Sequence, residues 1–323
     1  NKLFNVYKMI DYQKAPYLEL DNYKAPKGIN SIFIPMKDEK RIRLIYWKTN
    51  LKNKSNGTIL LQQGHNEFIE KYYETVQEFL DRSFNVVSFD WRGQGISDKM
   101  INNKHKQFID DFNIHHQDLA FIIENFISNN FPGPLIGIGH SMGGCILLSF
   151  LKGHIDKFDR IILSAPMLGF RNEKFIMPLI TLANILFPRK SYLIGSKPNM
   201  GKETLFKDND LTSDKFRYLR TLKLVRKKPD IRLWGITNAW ANAAKKEILL
   251  MRKDGWAEDI RYKILFLNSL NDRVVSSKHI IDMSERLKNS KILNFHETEH
   301  EIFMEKDKHR KEMWVEIDNF LIP

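Results

Sequence analysis

Short apolar runs alternate with amphipathic segments along most of this chain. The run TILLQQ at 58–63 is followed by a helical pattern at 70–84. The same order recurs with apolar runs at 85–90, 134–139 and 160–166 and helical patterns at 111–127 and 142–153. A continuous apolar run is typical of a strand that is covered on both faces. The alternation therefore predicts an α/β fold with a mostly parallel central sheet and helices on both faces.

The alternation is interrupted once. Residues 170–232 contain prolines, basic residues and two helical stretches, but no clear strand. Afterwards the strands return at 263–269 and 291–297, and helical patterns are found at 235–252, 276–289 and 307–321. We therefore expect one α/β core formed by 1–169 and 233–323, with 170–232 as a helical lid inserted into it.

The stretch GIGHSMGGCI at 137–146 surrounds Ser141 with glycines, directly after one predicted strand and before a helix. Open α/β sheets bind their ligands at the carboxyl ends of strands. Gly139-His140-Ser141-Met142-Gly143 fits the pattern Gly-x-Ser-x-Gly, which exposes a nucleophile on a sharp strand-to-helix turn. The alternative is an ordinary glycine-rich turn. The strand–turn–helix context favours Ser141 as a nucleophile.

A serine nucleophile needs a base and a group that orients the base. His300 follows the last predicted strand, and Asp272 follows the strand before it. The order Ser141, Asp272, His300 is the hydrolase order for such a sheet. The other histidines considered for the base are better explained by packing or solvation: His140 beside the serine, His296 inside a strand, and His115, His116 and His279 on helices.

Two backbone N–H groups are needed to bind the oxyanion that forms during acyl transfer. Met142 supplies one at the start of a helix, where the helix dipole adds a favourable field. The second is expected from His65 in QQGHNEF, where Gly64 permits the turn. The His65 side chain precedes the nucleophile, against the usual chain order, and is therefore not assigned as the base.

Five stretches together resemble one known family. They are GHNEFIEKYYE, FDWRGQGISD, GHSMGG, LNDRVV and EHEIFMEKD, and they span residues 64–307 in the expected order. The chain resembles α/β-hydrolases of the bacterial lysophospholipase and monoacylglycerol-lipase branch. One departure is Gln63-Gly64, where many relatives have His-Gly. DWRGQGIS at 90–97 resembles a structural turn of these enzymes and is assigned no catalytic role.

The resemblance implies a serine hydrolase that cleaves the carboxylic ester of a lysophospholipid through an acyl-enzyme, without a cofactor or metal. A monoacylglycerol lipase or another carboxylesterase is the main alternative, and a serine peptidase or amidase is a weaker one. A peptidase would need an acidic group to hold a substrate amine. A non-catalytic module that binds nucleic acid has no need of Ser141, Asp272 and His300 together, so no nucleic acid is expected.

Positive charge is concentrated in the predicted lid. The chain has a net charge of +12, and residues 212–232 hold eight Lys or Arg against two Asp. Beside this run, the apolar stretch FIMPLITLANILF at 175–187 is too short to cross a bilayer. An apolar wall with a basic rim suits an acyl chain with a phosphate head, or an anionic membrane surface. The alternative is a solvated helix that packs on the core.

The compartment is predicted from the absence of export and cross-linking signals. Residues 1–16 contain no apolar stretch that resembles a secretory signal, and Cys145 is the single cysteine. We therefore expect a cytoplasmic protein, with peripheral contact at the inner membrane as an option.

Overall fold

A computed structural model describes residues 12–49, 55–194 and 200–321. The absence of a secretory signal was predicted from residues 1–16, of which 1–11 lie outside these ranges. The strands are β1 (Asn30–Pro35), β2 (Arg41–Trp47), β3 (Gly57–Gln62), β4 (Phe84–Phe89), β5 (Lys106–Gln107), β6 (Leu135–His140), β7 (Arg160–Ser164), β8 (Gly235–Ile236), β9 (Lys263–Ser269) and β10 (Ser290–Phe295).

The helices are α1 (Tyr73–Asp81), α2 (Asn113–Ile122), α3 (Ser128–Asn130), α4 (Met142–Leu151), α5 (Glu173–Leu186), α6 (Lys215–Lys227), α7 (Asn238–Met251), α8 (Ser277–Arg286) and α9 (Asp307–Leu321). Among the described residues, no helix combines the length and apolarity that are needed to cross a membrane.

Eight of the strands form one sheet in the order β1-β2-β4-β3-β6-β7-β9-β10. The pairs β1–β2 and β2–β4 are antiparallel, and every pair from β4 to β10 is parallel. The predicted mostly parallel sheet is therefore confirmed. Its parallel strands end at one edge, which brings the loops after β3, β6, β9 and β10 together.

Side chains of the sheet enter two separate cores, because successive residues of a strand point to opposite faces. In β9, Ile264 and Phe266 pack with α4, α7 and α8, whereas Leu265 and Leu267 pack with α1 and α9. Strands β3, β4 and β6 are buried along their whole length. Burial on both faces explains why these strands are continuous apolar runs in the sequence.

Three differences between the observed elements and the sequence predictions have a clear structural description. The helix predicted at 235–252 begins at Asn238, because Gly235–Ile236 pairs with Lys106–Gln107 as a small parallel sheet. The side chain of Thr237 caps the helix by accepting from Trp240 N–H. The strand predicted at 291–297 ends at Phe295, so His296 lies outside it and is exposed. The pattern at 111–127 is α2 followed by a π-helical turn at Ile123–Ile127.

The segment 170–232 contains α5, α6 and two short 3₁₀ turns, and its described residues form two isolated bridges but no strand. Its two helices have different surroundings. Helix α5 packs on α7, and Phe175, Ile185 and Leu186 are between 61% and 80% exposed. Helix α6 packs near the 3₁₀ turn Ile69–Tyr72, beside the loop after β3.

Candidate active site

Ser141 occupies a strained turn between β6 and α4. Its φ of 51° and ψ of −116° lie outside the regions that a serine normally adopts, at a cost of about 1–3 kcal/mol. The flanking glycines are required by close backbone contacts. A Cβ on Gly139 would lie 2.7 Å from the Gly144 Cα, and a Cβ on Gly143 would lie 2.5 Å from the Gln63 carbonyl oxygen. The glycine pattern therefore has a steric cause beyond an ordinary turn.

We expect Gly143→Ala to lower both stability and turnover. The added methyl group meets the rigid backbone of Gln63, and displacement of that segment moves the loop beside Ser141. Overpacking of this kind costs about 1–3 kcal/mol, and misplacement of reacting groups can reduce kcat about 100-fold. Thermal unfolding and ester hydrolysis measure the two effects. Gly153→Ala is the control, because no atom lies within 4 Å of its added Cβ. Equal behaviour of the two variants would contradict the steric explanation.

The structure brings Ser141, His300 and Asp272 into one hydrogen-bonded series. The Nε2 of His300 lies 2.9 Å from Ser141 Oγ, and its Nδ1 lies 2.7 Å from Asp272 Oδ2. The other carboxylate oxygen of Asp272 accepts from the N–H groups of Val274 and Val275 at 2.7 and 2.9 Å. This anchors the carboxylate, and all three predicted residues are buried.

His300 and Asp272 each stabilise the charged form of the other. Burial alone would lower the pKa of His300, but the neighbouring Asp272 carboxylate outweighs it and raises that pKa. Burial alone would raise the pKa of Asp272, but His300 and the two valine N–H groups lower it below the ordinary value. The arrangement therefore stabilises an imidazolium, as a histidine that accepts a proton from serine requires.

The two predicted oxyanion donors both belong to segments beside Ser141. Met142 is the first residue of α4, where N–H groups lack an intrahelical partner. Gly64 and His65 line the cavity above Ser141, and within the described ranges no residue accepts a hydrogen bond from the His65 N–H. Gln63, the departure from the family pattern, binds Ser88 Oγ through its side-chain amide and does not line the cavity.

Side-chain hydrogen bonds hold the loop after β3, which contains Gly64 and His65, in position. Glu67 accepts from Gly64 N–H at 2.5 Å. Gln94 donates to the Gly64 carbonyl oxygen and accepts from Asn66 N–H, at 3.0 and 2.7 Å. Gln94 belongs to the turn at 90–97, which the sequence analysis treated as structural only. The turn therefore also positions the candidate oxyanion loop.

A buried ionic cluster that the sequence patterns did not predict lies beside Ser141. The ammonium of Lys71 lies 2.6 Å from Glu67 and 2.5 Å from Glu301. Burial opposes ionisation of Glu67, but Lys71 and His140 lower its pKa to about 2. Oxygen and nitrogen atoms of Glu67, His140 and Glu301 lie close enough to hold a metal ion, but the Lys71 ammonium already bridges the two carboxylates. The i,i+4 spacing of Glu67 and Lys71 was the available sequence signal.

The other candidate histidines have positions unlike that of His300. His140 is buried with its Nδ1 3.1 Å from the Ser164 carbonyl oxygen, and burial lowers its pKa to about 4. The His65 ring lies against Trp240, and desolvation lowers its pKa to about 4 as well. Both side chains are therefore neutral at ordinary pH, and neither has a hydrogen bond to Ser141 among the described residues.

A cavity of about 420 Å³ opens above Ser141. One side is formed by the loop after β3, and the other by residues from 204 to 232. Its apolar lining includes Phe68, Leu222, Val225 and Met304. The stretch 175–187, expected to provide an apolar wall, lies elsewhere: its Phe175, Met177 and Pro178 line a neighbouring groove.

The basic run of α6 is partly neutralised within the molecule. Arg217 is buried and pairs with Glu74, Asp214 and Asp307. Arg220 also pairs with Glu74, and Arg226 forms two hydrogen bonds with Glu203. Lys215 and Lys223 are exposed. The cluster predicted from composition is therefore in part a set of structural ion pairs.

The sheet order, the strained serine between β6 and α4, and the partners after β9 and β10 define an α/β-hydrolase. The chain belongs to the serine aminopeptidase S33 family of hydrolases, whose family model matches residues 53–307.

Similar proteins carry lipid-hydrolase names. The chain is 27% identical over 265 residues to the probable lysophospholipase L2 of Haemophilus influenzae, covering 81% of this chain and 83% of that protein. It is 30% identical over 230 residues to lysophospholipase L2 of Escherichia coli, covering 68% of this chain and 65% of that protein. A structure of a soluble variant of monoglyceride lipase from Saccharomyces cerevisiae superposes with a TM-score of 0.73, covering 94% of this chain and 99% of that chain at 17% identity.

Proposed function

We propose that this protein is a serine carboxylic ester hydrolase that deacylates lysophospholipids. The observation that carries the proposal is the hydrogen-bonded series Ser141, His300 and Asp272 at the base of a cavity with apolar walls and basic groups. The names of the Haemophilus influenzae and Escherichia coli relatives support the same substrate class.

In the proposed reaction, His300 Nε2 takes the proton of Ser141 as the serine oxygen attacks the ester carbonyl carbon. The N–H groups of Met142 and His65 then bind the oxyanion of the tetrahedral intermediate. Collapse of that intermediate breaks the ester bond, and His300 returns the proton to the departing glycerol oxygen. Water hydrolyses the acyl-enzyme by the same steps, so no cofactor is required.

We propose that 170–232 is the lid of this enzyme. Its α6 half lines the cavity that contains Ser141, and the face of α5 with Phe175, Ile185 and Leu186 is exposed. Exposed apolar side chains beside basic ones suit peripheral contact with an anionic lipid surface. The chain would then take its substrate from a membrane surface.

The alternative activities differ in what the cavity must recognise. A monoacylglycerol lipase needs the same acyl wall but no group for a phosphate. An aminopeptidase, the activity in the family description, needs an acid that holds a substrate amine. Four carboxylates line the cavity. The two buried ones, Glu67 and Glu301, are bound to Lys71, Asp210 is paired with Arg273, and Asp208 is exposed. Among the described residues no buried acid of the cavity is free to hold an amine, which favours the ester hydrolase.

A substrate panel tests the proposal. Purified protein is assayed with lysophosphatidylcholine, a monoacylglycerol of the same acyl chain, and aminoacyl amides, each scored by kcat/KM. We expect the lysophospholipid to give the highest value and the amides to give none. A higher value for the monoacylglycerol would replace the proposed substrate by the alternative. Amide turnover above ester turnover would contradict the ester-hydrolase assignment.

We expect the charges at the end of α6 to affect lipid surfaces more than chemistry. A variant with Lys223, Arg226, Lys227 and Lys228 changed to Gln should raise the apparent KM for lysophospholipid in anionic vesicles. Each charge near such a surface contributes about 1 kcal/mol. Arg226 binds Glu203, and Lys227 donates to the Glu19 carbonyl oxygen, so we expect about 10–100-fold rather than the full sum at physiological salt. A short soluble ester should be hydrolysed normally.

The control removes equal charge at a distance from the cavity, by changing four exposed residues to Gln: Lys253, Arg261, Lys263 and Lys288. Its KM in anionic vesicles should rise much less. Equal losses in both variants would indicate a general charge effect. Equal losses on the vesicle and soluble substrates would make the α6 run structural.

A further inference from the structure

Three basic side chains line the Ser141 cavity in the described part of the chain: Lys71, Arg217 and Arg232. The first two are held by carboxylates within the protein, Lys71 by Glu67 and Glu301, and Arg217 by Glu74, Asp214 and Asp307. Arg232 differs from both. Its Nη1 is buried and has no hydrogen-bond partner among the described residues.

The carboxylate whose charge acts on Arg232, that of Glu203, is already bound by another arginine. Glu203 lies close enough for its charge to be felt, but both of its oxygens accept from Arg226 at 2.6 Å. Burial lowers the pKa of Arg232, yet a guanidinium remains protonated at ordinary pH. The cavity wall therefore carries a positive charge, and the donors of its Nη1 are unused among the described residues. Such a donor is costly to bury unless a ligand accepts from it.

The position of Arg232 is fixed relative to the candidate oxyanion loop. The N–H of Leu233, the next residue, donates to Asn66 Oδ1 at 2.7 Å. Asn66 in turn is held by Gln94. On the other side, the Arg232 carbonyl oxygen lies 3.0 Å from His105 Nδ1. Because Asn66 follows His65 directly, these contacts fix the backbone of Arg232 relative to the candidate oxyanion loop.

We propose that Arg232 binds the phosphate of the substrate head group and selects phosphate-bearing lipids over neutral acylglycerols. The inference rests on the proposed function and specifies the substrate class of the same site. A planar guanidinium presents paired N–H donors that match two phosphate oxygens. A lysophospholipid carries its ester and its phosphate on one glycerol unit, so an arginine tied to the oxyanion loop can hold the phosphate while Ser141 attacks the ester. A monoacylglycerol has no group for this arginine.

The test compares Arg232→Met with the wild-type protein on two soluble short-chain substrates, lysophosphatidylcholine and a monoacylglycerol with the same acyl chain. A charge-assisted hydrogen bond contributes about 1.5–3 kcal/mol, which corresponds to about 10–100-fold. We expect kcat/KM for the lysophospholipid to fall by that factor, mainly through KM. We expect kcat/KM for the monoacylglycerol to change less than about threefold. Arg232→Lys should recover part of the loss, because it keeps the charge but not the planar donor pair.

Lys215→Met is the control, since Lys215 is a basic residue of the same segment that is exposed and does not line the cavity. It should leave both substrates unaffected. Equal losses on both substrates in Arg232→Met would overturn the proposal and make Arg232 structural. Unchanged lysophospholipid kinetics would also overturn it.

Binding of an ether-linked lysophosphatidylcholine, measured by calorimetry, provides a readout without turnover. If the wild-type protein hydrolyses neither ester, the proposed function fails, and Arg232 is then judged by this binding alone: weaker binding in Arg232→Met supports the phosphate site, and equal binding excludes it.

Discussion

Ser141→Ala is expected to abolish ester hydrolysis and leave the fold intact. The variant loses only the oxygen that lies 2.9 Å from His300 Nε2, and no other described group is placed to replace it. Removing the nucleophile of a serine hydrolase lowers kcat by about 10⁶-fold. Thermal unfolding should be unchanged, since alanine keeps the backbone of the turn. Loss of labelling by a fluorophosphonate probe is the second measurement.

A buried serine elsewhere provides the control for this prediction. Ser284 is buried in α8, and its hydroxyl donates to the Ile281 carbonyl oxygen. Ser284→Ala should keep its labelling and its activity. If Ser141→Ala retained more than about a thousandth of the wild-type kcat, the nucleophile would have to be another residue.

The features that could be predicted from the sequence are those that depend on local patterns of residues along the chain. Strands β3, β4 and β6 are apolar throughout because both faces are buried, and that burial is visible as continuous runs. The proximity of Ser141, Asp272 and His300 could be predicted because each residue lies in the segment that follows a parallel strand, namely β6, β9 or β10. The carboxyl ends of these strands share one edge of the sheet, which brings the three residues together regardless of their separation along the chain.

The sequence could not predict which charges pair across the fold. Arg217 and Arg220 belong to α6, but their partner Glu74 lies in α1, so the pairing depends on tertiary packing. The composition of 212–232 therefore overstated the free positive charge. For Arg232 the composition gave no hint of a ligand site, because the absence of a hydrogen-bond partner for its Nη1 among the described residues is visible only in the folded cavity. Two-residue strands such as β8 are too short to produce a pattern.

The pH dependence of kcat/KM should be controlled by His300, because only its neutral form can accept the serine proton. Asp272 raises the pKa of His300, so activity is expected to increase as pH rises through that elevated pKa and then to level off. Asp272→Asn removes the charge that stabilises the imidazolium. The acidic limb of the profile should therefore shift to lower pH.

The same substitution should also lower the plateau of kcat by about 10⁴-fold, because the amide introduced at position 272 can favour the wrong imidazole tautomer of His300. His300→Ala should be at least as severe and should eliminate the acidic limb. Asp282→Asn is the matched control, since Asp282 is exposed on α8 and away from the cavity. Its pH profile should match that of the wild type.

A lower plateau of kcat in Asp272→Asn with an unshifted acidic limb would assign that limb to a group other than His300. Full activity of Asp272→Asn would transfer the orienting role to another acid, and Glu301, whose charge also raises the pKa of His300, would be the first residue to change.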